Sequence, residues 1–157
     1  MKAIVIYYSL GGNTETIAED VQKATNSDIE RVETRVPYKG SYDDIVQQGQ
    51  EEIETGFCPE ITPLEANLSE YDTIILGTPV WWYSFAPAMH SFLKEQNLSG
   101  KNIYLFATNG GWLGHTRKDF HKLLKDSFIK GEISIRFDGN TLKTSRDDIQ
   151  NWISGIH

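Results

Sequence analysis

Apolar runs and apolar positions at helical spacing alternate along this chain of 157 residues. Lys2 to Tyr8 predicts a first buried strand, and Ile17, Ala18, Val21 and Ala24 then recur at helical spacing behind Asn13, a residue suited to cap that helix. Asp28 to Thr34, with Ile29, Val32 and Val36 as the apolar members, predicts a weaker second strand. Ser41 to Thr55 reads as a polar, acidic helix anchored only by Ile45, Val46 and Ile53. Tyr71 to Thr78 is a third strand, too apolar to keep one face wet. Pro87 fits the first turn of a helix that faces Met89, Phe92 and Leu93 inward. Lys101 to Thr108 is a fourth strand, and a helix from about His115 to Asp126 buries Phe120, Leu123 and Leu124. Ile133 to Phe137 is a fifth strand, and Ile149, Trp152, Ile153 and Ile156 mark a closing helix.

This alternation predicts an α/β fold in one domain spanning residues 1–157. The expected architecture is a doubly wound, five-stranded parallel sheet of order 2-1-3-4-5 with helices on both faces. Open sheets of that kind bind ligands outside the carboxyl ends of their strands. Three loops would lie there. Ser9-Leu10-Gly11-Gly12-Asn13-Thr14 follows the first strand, Thr78-Pro79-Val80-Trp81-Trp82-Tyr83 the third, and Thr108-Asn109-Gly110-Gly111-Trp112 the fourth.

Each loop has its own chemistry. Gly11 and Gly12 permit a tight turn and a close backbone approach by an anion. Asn13 then opens a helix whose first N–H groups lack internal partners and whose dipole favours negative charge. Ser9, Asn13, Thr14 and Thr16 add side-chain donors, making a phosphate site of dipoles with no cation of its own. An ordinary glycine turn is the competing reading. Trp81-Trp82-Tyr83 cannot all enter one core, so at least one ring should be exposed, where stacking on a ligand ring contributes about 1 kcal/mol beyond area burial. In the third loop, Gly110 and Gly111 let backbone amides reach the polar edge of a ring and Trp112 can cover it. A plain turn before a helix competes here too. His115 is better read as a helix-start residue than as a proton donor.

Other phosphate chemistries fail on these residues. No Lys-Ser or Lys-Thr pair follows the glycines, as a nucleoside triphosphate loop needs, and G-x-G-x-x-G is absent. Tyr7-Tyr8-Ser9 and Gly77-Thr78 stand where a receiver domain would need its acidic residues and acceptor Asp. No cysteine occupies the first loop, so a small tyrosine phosphatase is excluded. Cys58 is the only cysteine, which removes an intrachain disulfide, and His90, His115, His121 and His157 lack metal-ligand spacing.

A composition of 39% hydrophobic and 24% charged residues is that of a globular protein. A net charge of −7 disfavours nucleic acid and leaves two readings, solubility or steering toward a basic partner. The run Ala3 to Tyr8 is too short for a signal peptide, and no stretch approaches a membrane span. A cytoplasmic location is the expectation, without nucleic-acid or membrane partners.

On these residues the chain resembles the flavodoxin-like FMN-binding proteins over nearly its whole length. Ser9-x-Gly11-Gly12-Asn13-Thr14 stands where that family has Ser/Thr-x-Thr-Gly-x-Thr. Pro79-Val80-Trp81-Trp82 matches the Pro-x-Trp-Trp of a related group, and Thr108-Asn109-Gly110-Gly111 matches a Thr-x-Gly-Gly loop. The fifth strand carries no long insertion, which resembles the short-chain members. The resemblance implies FMN, its phosphate on the first loop and its isoalloxazine between the other two. The implied cofactor-binding residues are Ser9, Gly11, Gly12, Asn13, Thr14, Thr78, Pro79, Val80, Trp81, Trp82, Tyr83, Thr108, Asn109, Gly110 and Gly111. No catalytic side chain and no metal ligand is implied.

Two departures matter. Gly11 replaces a family Thr, removing one hydroxyl. Tyr83 stands where the related group has Gly after the tryptophans, and a backbone flip that would steady a flavin radical is easiest at glycine. Two functions follow from the resemblance. An electron carrier between a reductase and an acceptor protein, with a basic redox partner, comes first, because the sequence shows no obvious second-substrate pocket. The alternative is an FMN-dependent NAD(P)H oxidoreductase acting on quinone, nitro or azo compounds. A binding module that has lost its flavin would come third.

Overall fold

A computed structural model describes all residues from Met1 to His157. Five parallel strands form its centre: β1 (Ala3–Tyr7), β2 (Asp28–Arg31), β3 (Thr73–Trp81), β5 (Asn102–Asn109) and β6 (Phe128–Asp138). Two short strands, β4 (Ser84–Phe85) and β7 (Thr141–Leu142), pair antiparallel with β3 and β6. The sheet is therefore mixed and seven-stranded, of order β2-β1-β3-β5-β6-β7 with β4 paired on β3. This corrects the expectation of five strands in order 2-1-3-4-5. Both additions are two-residue returns of a preceding strand, too short to leave an alternating pattern of their own.

β1, β3 and β5 read as continuous apolar runs because both of their faces are covered. Side chains alternate between faces at a period of two. Ala3, Val5, Tyr7, Ile75, Tyr104 and Phe106 meet helices α1 (Asn13–Thr25) and α5 (Arg146–Ser154) through Ile17, Val21, Ile149 and Ile153. Ile4, Ile6, Ile74, Leu76, Ile103 and Leu105 meet α3 (Pro87–Glu95) and α4 (Thr116–Leu123) through Met89, Phe92 and Phe120. Gly77 belongs to this packing, since a Cβ there would lie 2.1 Å from Cζ of Phe106.

Several bounds move from their sequence positions. β2 stops at Arg31 because the chain leaves the sheet, and Thr34 pairs antiparallel with Ile61 instead. β3 runs on through Pro79, Val80 and Trp81 into a hairpin. α4 ends at Leu123, leaving that side chain exposed, and Ala24 likewise faces solvent. Helix α2 (Tyr42–Thr55) begins at Ser41, whose hydroxyl accepts from the Asp44 amide while Asp44 accepts from the Ser41 amide. Its weak apolar signal has a reason. Gly49 and Glu52 are its buried residues, whereas Ile45, Val46 and Ile53 are only partly covered. No helix is long and apolar enough to cross a membrane.

Candidate functional site at the carboxyl edge of the sheet

The loops after β1, β3 and β5 meet at one edge, at the point where β1 is flanked by β2 on one side and β3 on the other. Pairwise contacts join them. Thr14 Oγ1 and Thr108 Oγ1 lie 2.7 Å apart and buried, tying the first loop to the third. Tyr83 and Trp112 meet edge to face with ring centroids 4.6 Å apart, tying the second to the third. Leu10 and Trp82 line the same pocket, which the first loop and the second border together.

In the first loop Gly11 and Gly12 take φ of 83° and 96°, and a Cβ on either would meet no atom within 4 Å. The loop is open on that side. Gly12, not Asn13, is the cap of α1, and the Asn13 side chain instead donates to the Gly139 carbonyl at 2.9 Å. The first bond entering the helix is Thr16 N–H to Gly12 O, so the amides of Asn13 and Thr14 precede it without helical partners. The amides of Leu10, Gly11 and Gly12 have no partner in the chain either. Ser9 is buried, and its Oγ accepts the Glu15 amide at 3.2 Å, bracing the turn rather than pointing outward.

Cations stand nearer than the motif suggested. Arg31 at the end of β2 donates to the Ser9 carbonyl at 2.5 Å and to Glu15 at 2.9 Å. Arg146 lines a groove with Gly11, Gly12, Asn13, Thr16 and Asn140, and pairs with Asp20 at 3.0 Å. Each guanidinium is matched by a carboxylate, Arg31 by Glu15 and Arg146 by Asp20. Arg31 was discoverable from sequence, because strand order places its end beside Tyr7. Asp138-Gly139-Asn140 also carried a readable turn signal for the hairpin that reaches Asn13.

The second loop is a two-residue hairpin in which Val80 pairs with Phe85 and Trp81 with Ser84. Trp82 and Tyr83 form the turn with φ of 44° and 67°. Positive φ at both central positions is the hairpin geometry that normally selects Asn-Gly, and large aromatic residues reach it only with strain. Trp81 turns inward, edge-on to Tyr8 and Tyr38, with centroids 5.9 and 5.1 Å away. Trp82 and Tyr83 stay 36% and 42% exposed. The Thr78 hydroxyl is buried and accepts the Ala86 amide at 3.0 Å, so it closes the hairpin base.

The third loop is set by Asn109, whose Oδ1 accepts the Gly111 amide at 2.9 Å and whose Nδ2 donates to Ser134 at 2.8 Å. The Gly111 amide is thus already engaged, while Gly110 stays open and Trp112 is 68% exposed. His115 caps α4. Asp119 Oδ2 accepts from both Ser84 Oγ (2.6 Å) and His115 Nδ1 (2.5 Å) behind the hairpin. Under the first loop, burial and then a hydrogen bond to Glu15 push the Tyr7 phenol up to about 12. Burial does the same to Tyr8, also to about 12. Open amides of the first loop and exposed aromatic rings of the other two thus share one sheet edge.

Comparison with known proteins agrees with this fold. The family model described as flavodoxin matches residues 2–156. A probable NAD(P)H dehydrogenase (quinone) FQR1-like 2 of Arabidopsis thaliana is 32% identical over 120 residues, covering 70% of this chain and 42% of that protein. An NAD(P)H dehydrogenase (quinone) of Gluconacetobacter diazotrophicus is 35% identical over 99 residues, 60% of this chain and 46% of that protein. The chain thus spans less than half the length of these curated relatives. Among solved structures, a protein of Bacteroides eggerthii described as a putative flavoprotein superposes with a TM-score of 0.82 at 25% identity, covering 98% of this chain and 96% of that one. A flavoprotein of Lactobacillus acidophilus, solved in complex with FMN, superposes with a TM-score of 0.77 at 20% identity, covering 96% of this chain and 97% of that one. With its α/β sheet, its amide-lined first loop and a family match running almost end to end, this chain belongs to the flavodoxin family.

Proposed function

We propose that this chain is an FMN-dependent redox protein that works chiefly as a two-electron oxidoreductase on quinone-type acceptors. The observation that carries the flavin reading is the row of unpartnered amides from Leu10 to Thr14 beside exposed aromatic rings. The fit is chemical. A phosphate needs donors and space, and Gly11 and Gly12 supply both where any Cβ would stand in the approach. Gly11, Gly12, Asn13 and Thr14 would hold the phosphate, and the hairpin Pro79 to Tyr83 with Thr108 to Trp112 would enclose the isoalloxazine. Bound there, FMN supplies reversible two-electron chemistry. The protein orients the ring, excludes water from one face, and fixes the backbone beside it.

Ser9, Thr14, Thr78 and Thr108 serve this reading indirectly, since their hydroxyls hold the loops in place. The names of the curated relatives support the oxidoreductase reading, as does the Trp82-Tyr83 turn, whose Tyr83 carbonyl is held by the His115 amide. The carrier reading keeps one specific support. Asp43, Asp44, Glu51 and Glu54 form an exposed acidic face on α2, on the side of the helix away from the hairpin, that would attract a basic redox partner.

Titration of the protein with FMN, followed by tryptophan fluorescence, tests the cofactor. Tight, saturable quenching is expected, and a colourless protein indifferent to millimolar FMN would remove both redox readings. Oxidation of NAD(P)H by the FMN-loaded protein without a partner reductase separates oxidoreductase from carrier.

A further inference from the structure

Between α2 and the hairpin lies a pocket of about 430 Å³ whose helix side, Tyr42, Ile45, Val46 and Gly49, the flavin reading leaves unused. Its other side is Leu10 of the first loop and Pro79 to Tyr83 of the hairpin, with Trp81 lying against Gly49; no residue of the third loop reaches it. None of the residues that line it is charged, in a chain of which 24% is charged and whose net charge is −7. Such a lining repels anions by desolvation and suits a flat, uncharged ring.

The pocket is built at some cost to local stability. Gly49 sits inside a helix, where glycine is destabilising, yet a Cβ there would lie 3.1 Å from Cε3 of Trp81. The glycine lets the Trp81 indole lie against the helix. Trp82 Nε1 donates to the Val46 carbonyl at 3.2 Å, holding the second indole against α2 as a wall. Both turn residues are kept at positive φ to present those rings, and Tyr42 remains 82% exposed at the rim. Unfavourable backbone and exposed apolar surface converge on one place, which is the pattern of a binding site.

We infer that this pocket binds an uncharged aromatic molecule of one or two fused rings, stacked against Trp82. Its role rests on the flavin reading: Pro79 to Tyr83 belong both to this pocket and to the flavin enclosure, so an aromatic electron acceptor docked against the helix side abuts the cofactor's own wall. The pocket also supplies the second ligand site that the sequence did not reveal.

The test uses the full chain, with and without FMN, at neutral pH, and a matched pair of redox-inert probes, 2-naphthol and 2-naphthalenesulfonate. Methyl NMR of Ile45 and Val46 is expected to show saturable 2-naphthol binding in both forms, about tenfold or more tighter than the sulfonate. Val46→Phe and Ile45→Phe, each of which narrows the pocket on its helix side, should each weaken 2-naphthol about tenfold while FMN affinity holds within about threefold. Mutual exclusion of 2-naphthol and FMN would overturn the inference by making the pocket part of the flavin site. Equal binding of the sulfonate, or unchanged binding in both variants, would overturn it as well. A protein that takes up 2-naphthol but no FMN would support the pocket while removing the flavin reading.

Discussion

The backbone N–H of His115 donates to the carbonyl of Tyr83 at 2.7 Å. Around that bond the segment leading into α4 presses on the hairpin, because a Cβ on Gly114 would lie 2.4 Å from Cα of Tyr83. Asp119, one turn into the helix, accepts from Ser84, the residue after the turn. Trp82 and Tyr83 are thus held in left-handed conformations that cost roughly 1–3 kcal/mol each, and these contacts offset that cost.

A held turn cannot readily reverse its peptide beside a bound flavin. Reductive titration of the FMN-loaded protein is expected to pass from oxidised to fully reduced spectrum with little long-wavelength radical absorbance. Tyr83→Gly should raise that absorbance several-fold, since glycine accepts either backbone state. A strong, stable radical band in the unmodified protein would refute the argument.

Gly12→Ala places a Cβ on a residue at φ 96° and in the open approach to the amide row. Destabilisation of about 1 kcal/mol is expected from the backbone alone. Binding should show the larger effect, with FMN affinity falling about tenfold or more while riboflavin, which lacks the phosphate, falls far less. Parallel titrations with the two flavins measure the ratio, and an equal loss for both would place the phosphate elsewhere.

Gly77→Ala tests the core beneath the site. The added methyl would collide with the Phe106 ring at 2.1 Å, inside two packed layers that cannot give way cheaply. A loss of about 1–3 kcal/mol is expected from overpacking. Thermal unfolding reads it directly, and a variant as stable as the parent would show that the ring swings aside.

Alkaline titration has a defined sign. The phenols of Tyr7 and Tyr8 are raised to about 12 chiefly by burial, and Tyr71 to about 12 chiefly by its hydrogen bond to Asp28. Tyr38 is raised further, by burial and its bond to Glu52. The unfolded chain ionises these groups near pH 10 and binds fewer protons than the native state above it. Stability should therefore be intact below about pH 10 and fall as pH rises toward 12. Ultraviolet titration should find these four among seven tyrosines late to ionise until unfolding exposes them, whereas four normal titrations would contradict it.

What one chain of letters determined here was local and periodic. Strands buried on both faces announce themselves as unbroken apolar runs, so β1, β3 and β5 and the three loops behind them were legible. The glycines of the first loop spoke for an anion because only glycine holds that backbone. The hairpin at Trp82-Tyr83 was not legible, since nothing in an aromatic pair signals positive φ, and only the bond from His115 and the bulk of neighbouring α4 enforce it. The same holds for which hydroxyls are free. Thr14 and Thr108 are far apart in sequence and consume each other's hydrogen bonds once the sheet brings them together. α2 looked like a helix without a core, and only its seat against Trp81 and Trp82 turned those sparse apolar residues into the wall of a pocket. Periodicity is written residue by residue, whereas enclosure needs surfaces from distant segments, and those exist only after the chain has folded.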